Sequence, residues 1–451
     1  MTRFDRFGAP VSSGNQASVD AFNEAASLML GYYKDPLARI DAALAADPDF
    51  IMGHCFRAGL FLTSSEAACE PELKSILATL KRLEPAANDR ERRHMAAIKA
   101  WSIRDFHHAS EEYGHLLFEY PRDIVALQFT HLCDFLLGQP TMLRDRVTHV
   151  LPAWSEADAE YAYLLGMQAF GLEECGHYER AETVGRKAVS LEPRDAWAHH
   201  AVAHVYEMQG NTEDGLRWLD RGSKHWSQDN MFAFHNWWHM ALYHLENNDT
   251  ATALALYDGA IRPQPSSVAM EMVDAAAMLW RLHLRGVDVG ARWNELADRY
   301  ENWMTDAYYP FNDMHAMMAF VATGRQSQSR QLVAALEGAA GARDSSARMI
   351  RDVGLPVVRA IGAFGDGDYR LSFETLLDIR KRASGFGGSN AQRDVLSLTL
   401  VESAIRAGDR PAARALANER YAAKPESPLV RGLFKRIEAM PTMPVDMGNA
   451  A

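Results

Sequence analysis

No stretch of this 451-residue sequence supplies the run of about 18 apolar residues that a membrane-spanning helix needs. The N-terminal MTRFDRFGAPVSSGNQASVD likewise lacks the apolar core of a secretion signal. A cytoplasmic protein that does not enter membranes is therefore expected. Cysteine is scarce: Cys55, Cys69, Cys133 and Cys175 are the only four, and none forms a CxxC pair of zinc or redox type. They read as reduced, mostly buried thiols. Positive charge is in deficit, with a net charge of -12 and a pI near 5.8, so the chain as a whole offers nucleic acid no electrostatic footprint. Strand signals are almost absent, and so are the usual catalytic signatures: G-x-S-x-G, G-x-x-x-x-G-K-[ST] and H-E-x-x-H do not occur. The glycine-rich GFGGSN at 385–390 lacks the third glycine and preceding strand of a dinucleotide fingerprint. It reads as a turn capping a helix, and no nucleotide cofactor is indicated.

What the sequence does contain is a repeat. Segments beginning at Gly176 (GHYERAETVGRKAVSLEPRDAWAHHAVAHVYEMQ), Gly210 and Asn248 share one pattern of helix, Pro- or Asp-marked turn, helix. The same register point returns at Arg104, Gly138, Gly176, Gly210, Asn248, Gly286, Gly324, Gly367 and Gly408. Steps of about 34 to 38 residues, widening to roughly 43, lie close to the tetratricopeptide period of about 34. Pro121-Arg122-Asp123 and Pro193-Arg194-Asp195 mark helix starts. The expectation is an all-α solenoid of about ten tetratricopeptide-like helix-turn-helix units. It divides into an N-terminal segment (1–30), the array (31–435) and a C-terminal tail (436–451). In such an array the first, or A, helix of each unit lines the concave wall.

Most of the 17 histidines fall on predicted A helices. Two of these helices carry H-x-x-x-H pairs: His200 with His204 in HAVAH, and His235 with His239 in HNWWH. A spacing of four places both rings of a pair on one helix face, and the two pairs are near-equivalent in the repeat. His200, His204, His235 and His239, with Glu207 three residues after His204, are therefore candidate ligands for zinc, iron or a similar divalent ion. The competing reading is that they are core histidines satisfied by neighbouring carbonyls. Trp197, Trp237, Trp238, Trp280 and Trp293 read mainly as inter-helix packing. Adjacent helical residues diverge by about 100°, so one of Trp237 and Trp238 is expected to look into the groove, Trp238 being the candidate contact.

Three further polar clusters share the A-helix register: FNDMHA with Asp313 and His315, RDVGLP with Arg351 and Asp352, and GGSNAQRDV with Asn390, Arg393 and Asp394. Asp352 and Asp394 also suit helix N-termini, and the arginines suit plain ion pairs between repeats. Together with DPDFIMGH, RDAWAHHAVAHVYEM and HNWWHMALYHLE, these segments resemble the tetratricopeptide repeat protein 38 family, found in bacteria and animals, of which this would be a bacterial member. The likeness runs from about residue 40 to about residue 430. It implies an α-solenoid, and no catalytic residues carry over from it. The shared motifs place His54, His200, His204, His235, Asn236, His239, Asp313, Arg351, Asp352, Asn390, Arg393 and Asp394 together as signature positions. The unit from Gly138 and the stretch 66–103 depart from the repeat consensus, which allows an irregular or closed superhelix with an inner cavity.

Three functions fit these observations. The first is a binding protein holding a small polar or anionic ligand in a groove lined by His54, His200, His235, Asn236, Trp238, Arg351, Asp352, Asn390, Arg393 and Asp394. Peptide-clamp repeats use Lys, Asn and Arg, whereas histidine dominates here, which favours a small molecule or metal over a peptide. The second is an enzyme using His204, His239, Asp313 and His315 for acid–base or metal-assisted chemistry. The third is a protein-interaction scaffold, and the sequence is also compatible with a homodimer.

Overall fold

The computed structural model describes residues 3–441, and these form an all-α solenoid of tetratricopeptide-like helix pairs. A short antiparallel hairpin of β1 (Arg3–Phe4) and β2 (Pro10–Val11) precedes α1 (Gln16–Leu30) and α2 (Pro36–Ala46). Helix pairs then follow: α3 (Ile51–Thr63) and α4 (Glu70–Leu83), α5 (Asp89–Ser102) and α6 (Phe106–Glu119), α7 (Ile124–Leu136) and α8 (Pro140–Val150), α9 (Tyr161–Glu174) and α10 (Tyr178–Leu191). Next come α11 (Ala196–Gln209) and α12 (Thr212–Trp226), α13 (Ala233–Glu246) and α14 (Thr250–Leu256), α15 (Ala269–Leu284) and α16 (Arg292–Tyr300), α17 (Pro310–Ala322) and α18 (Gln326–Ala339). The next first helix is split into α19 (Ser345–Met349) and α20 (Leu355–Gly365) by a π-turn at Ile350–Gly354, and pairs with α21 (Tyr369–Ile379). The array ends with α22 (Asn390–Arg406), α23 (Arg410–Ala423) and α24 (Pro428–Glu438). The expected tail at 436–451 thus begins inside α24, and from residue 442 it lies outside the described residues.

The two helices of a pair are buried differently. In α12 only Gly215, Leu219, Gly222 and Trp226 are buried, a stripe at spacings of four and three that marks a helix with one face on the core. By contrast, α11 is buried without a break from Ala196 to Glu207, and α15 from Met272 to Leu282. These first helices are enclosed on every side, so a polar residue on them is buried whichever way it points.

The sequence register marks the turns. All nine register points, from Arg104 to Gly408, adopt φ between 62° and 81°, each closing the first helix of its pair in the left-handed conformation typical of helix ends. The Pro-x-Asp steps start helices as expected: Asp123 accepts from the Ala126 N–H and Asp195 from the Ala198 N–H, both at 3.0 Å.

The superhelix closes on itself. The Tyr309 hydroxyl donates to the Leu136 carbonyl at 3.1 Å, the Ala269 N–H to Glu66 at 2.8 Å, the Asn390 N–H to Glu174 at 2.8 Å and the Met231 N–H to the Tyr32 carbonyl at 2.7 Å. Contact is tightest where α7 ends against the glycine-rich turn. A Cβ on Gly138 would lie 1.7 Å from the Ser384 carbonyl oxygen, and one on Gly387 1.8 Å from the Tyr309 hydroxyl. Glu66 and Gly138 belong to the stretches that depart from the repeat consensus, and both lie on this seam.

The N-terminal segment is part of the body: Asp5 meets Arg90 at 2.8 Å, and Arg90 and His94 meet Asp123 at 2.6 and 2.9 Å, all four fully buried. The cysteines are free thiols, but only Cys55 and Cys133 are buried while Cys69 and Cys175 are partly exposed, fewer than expected. Among the described residues no helix is long and apolar enough to cross a membrane.

Candidate functional site

Side by side, α11 and α13 bring their histidine pairs face to face. His200, His204, His235 and His239 each offer a ring nitrogen, all four within 4.8 Å of one another and all buried. The His200 and His235 Nε2 atoms are 3.1 Å apart. Two imidazoles on one tetrahedral zinc, with Zn–N bonds of 2.0–2.1 Å, would be separated by about 3.4 Å. One edge of the group is thus already at ion spacing, and the wider edges, within 4.8 Å, need a contraction of up to about 1.4 Å.

Carboxylates stand behind the rings. His235 Nδ1–H donates to Asp274 on α15 at 2.6 Å and His239 Nδ1–H donates to Glu207 on α11 at 2.8 Å. Each contact favours the tautomer whose Nε2 lone pair faces the group, bare at His239 and turned to His200 Nε2 at His235, the arrangement metal-bound histidines use. His204 Nδ1 lies 3.3 Å from Glu173 and 4.0 Å from Glu174, at the end of α9. With His204 these two glutamates form a second cluster of ligand-type groups. Burial, reinforced by the other histidines, holds His200 and His239 well below the usual imidazole range. Burial also lowers His204 to about 4, against the pull of Glu174 and Glu207. His200, His204 and His239 are therefore neutral, as ligands must be. Burial pushes the acids the other way, Glu173 to about 8 with help from Glu207, and Glu174 to about 7 with help from Glu173.

The site also concentrates unpartnered buried polar atoms: both Glu173 oxygens, both His204 nitrogens, His239 Nε2, His200 Nδ1 and Asp274 Oδ1. Such atoms are rare in folded proteins and each needs a reason. Within one small volume, a cation joining lone pairs to carboxylates is a common reason for all of them.

Next to the group lies a cavity of about 340 Å³ ringed by first helices. His200 and His235 are among its walls, whereas His204 and His239 are not. Leu60, Phe135, Trp197, Phe232, Val273 and Phe311 are among its apolar walls. The tryptophans therefore exchange their expected parts. Trp197, read as packing, is a cavity wall. Trp238, the expected groove contact, is fully buried, stacked on His235 with ring centroids 5.3 Å apart and covered by the Arg281 guanidinium. Trp237 packs on Trp226 on the far side of α13.

The other sequence candidates are dispersed. Asn236 is buried and donates to the Ala196 carbonyl, tying α13 to α11. His54 is half-buried and bonded to the Pro48 carbonyl at the start of α3. Arg351 and Asp352 are each about half exposed and pair with one another on the π-turn, so they do not share the histidines' wall. The π-turn rotates them outward, a shift that helical register cannot anticipate. Asp313 and His315 on α17 are buried but join neither cluster: His315 Nδ1 donates to the Phe311 carbonyl, and burial with Asp306 raises Asp313 to about 8. Asn390 and Arg393 bracket Glu174, at 2.8 Å from the Asn390 N–H and 3.5 Å from Arg393. Asp394 accepts from both terminal nitrogens of Arg420 at 2.6 and 3.0 Å, one turn inside α22 rather than at its cap, which is Ser389. Glu207, expected as a ligand, orients His239 instead. Sequence reasoning missed Asp274, Glu173 and Glu174. Their signal was present as charged residues set in the apolar first helices EMVDAAAMLW and GMQAFGLEE.

No family model matches the sequence. Solved structures similar to this chain include the Cut9–Hcn1 hetero-tetramer of APC/C, at 12% identity, covering 94% of this chain and 90% of that one, with a TM-score of 0.35. Yeast Tom70 is similar at 12% identity, covering 95% and 89% respectively, with a TM-score of 0.33. A monomeric IFIT1 mutant with Gppp-AAAA is similar at 12% identity, covering 94% and 100%, with a TM-score of 0.34.

Proposed function

We propose that this tetratricopeptide-like protein is a metalloprotein in which His200, His204, His235 and His239 hold one first-row divalent ion. The ion sits at the wall of a cavity that receives a small molecule. The single observation that carries this reading is the ring of four buried imidazole nitrogens with Asp274, Glu207 and Glu173 at their backs. Neutral imidazoles suit zinc, iron, copper or nickel better than magnesium or calcium. Ligands that are borne on two adjacent rigid helices and oriented by carboxylates favour a preorganised site. Asp274 and Glu207, hydrogen-bonded to two of the ligands, are placed to share in balancing the charge of such an ion. Within the same reading, the motifs from DPDFIMGH to GGSNAQRDV support membership of the tetratricopeptide repeat protein 38 family.

The role of the ion follows from its place. With His200 and His235 on the cavity wall, the ion is positioned to polarise or ligate a molecule entering there. His204 and His239 act as ligands, and Asp313 and His315 stand outside the centre. The test is elemental analysis and native mass spectrometry of the full chain after purification without chelator. One ion per chain is expected in the wild type and none in the His204→Ala, His235→Ala double variant. A wild type that takes up no zinc, iron, copper or nickel on reconstitution overturns the reading.

A further inference from the structure

We infer that the cavity beside the four histidines takes an uncharged, largely hydrocarbon molecule rather than the anion that a histidine- and arginine-rich sequence suggests. The inference deepens the metal reading and rests on it for the ion. Three observations carry it. First, among the described residues no arginine or lysine lines the cavity, and the one ionisable group there besides His200, His235 and two tyrosines is an acid, Glu66. Arg393 and Arg281 are turned to other tasks, on Glu174 and on the Ala391 carbonyl. Second, the histidine face of the cavity is already backed by two acids, Asp274 and Glu207, which accept hydrogen bonds from His235 and His239 at 2.6 and 2.8 Å. An entering carboxylate would add a third acid to this end of the cavity, beside Glu66 on the lining and with no cationic side chain to pair with, which is unfavourable.

Third, much of the polar side-chain capacity on the wall is engaged within the fold. Gln392 and Ser389 cap α22 together, Asn312 donates to the Ser65 carbonyl and the Tyr32 hydroxyl accepts from Gln128. What remains for a ligand is apolar surface, and it continues outward: Met231 and Val268, both on the lining, are 41% and 49% exposed. An apolar rim of this kind eases desolvation of an apolar molecule on entry. Size narrows the class. An apolar cavity of about 150 Å³ already holds benzene, so 340 Å³ admits a molecule of about two such units, such as a medium-length chain or a bicyclic ring. A single neutral oxygen or π-bond on that molecule can face the ion at the His200–His235 edge.

The experiment is a calorimetric titration of the full chain, metal-loaded and metal-free, with 1-octanol and with octanoate at pH 8. Octanol is expected to bind the loaded protein about tenfold or more tighter than octanoate. Leu60→Trp and Leu132→Trp, at partly exposed wall positions, should each weaken octanol by a similar factor while melting curves and metal content stay as in the wild type. Octanoate binding as tightly as octanol, no octanol binding at 1 mM, or unchanged binding in both filled variants overturns the inference. A chain that binds octanol but no metal refutes the metal reading alone, because the missing cation makes an anion less welcome still. A chain that binds metal but not octanol refutes only this one.

Discussion

Glu207 touches the proposed ion only through His239, and that indirectness makes it a sharp probe. Glu207→Gln keeps the volume and removes the charge behind Nδ1 at 2.8 Å, so metal affinity should fall about 10–100-fold in chelator competition while thermal stability of the metal-free chain holds. His239→Ala should lose the ion outright. A different residue carries the pH dependence. Asp195 caps α11 through one oxygen, its other oxygen is buried without a partner, and burial raises its pKa to about 8 from an unfolded value of about 3.9. The folded chain therefore holds more protons than the unfolded one between these values, and stability falls as pH rises from about 4 to about 8. Asp195→Asn retains a good cap and should flatten that decline. Urea midpoints at pH 5 and pH 9 should differ less in the variant, by an amount equivalent to about 1–3 kcal/mol.

At the scale of elements, the second helix of each pair was the easier to read, because its stripe of buried residues has the helical period. Leu219 in α12 is fully buried in such a stripe, and Leu219→Ala should cost about 2–5 kcal/mol by denaturant unfolding. The turns obeyed the same local logic, since a left-handed residue must end each first helix and glycine or asparagine adopts it most cheaply. Two glycines separate that local demand from the tertiary one. Gly176 has φ of +78° with open space around it, whereas Gly387 has φ of 87° and ψ of -161° with the Tyr309 hydroxyl in the way of any Cβ. Gly176→Ala should cost about 1–2 kcal/mol. Gly387→Ala should cost more than that, because steric exclusion adds to backbone strain of about 1–3 kcal/mol. Comparison of the two melting temperatures checks the difference.

For the whole molecule, closure changes how the array comes apart. An open solenoid has only neighbour contacts and can fray from its ends. Here residues near 31 bond to those near 230, and residues near 174 to those near 390, so the ends are tied through the middle. Unfolding of the full chain followed by tryptophan fluorescence and by helical circular dichroism should give coincident transitions. Separated transitions would show that the seam does not couple the units.

The sequence by itself determined the helices, their order and their turns, because amphipathic period, capping residues and left-handed glycines act within a few residues of each other. It also determined that His200 and His204 share one face and His235 and His239 another, since spacing of four is a local property. Only the tertiary structure decided that the two faces meet, that Asp274 from α15 and Glu173 from α9 stand behind them, and that Arg351 and Asp352 turn away on a π-turn. It decided the character of the cavity as well. First helices are buried on all sides, so their composition does not say which side chains line the space. Closure of the superhelix selected Trp197, Phe135 and Phe311 for that wall and spent the arginines elsewhere.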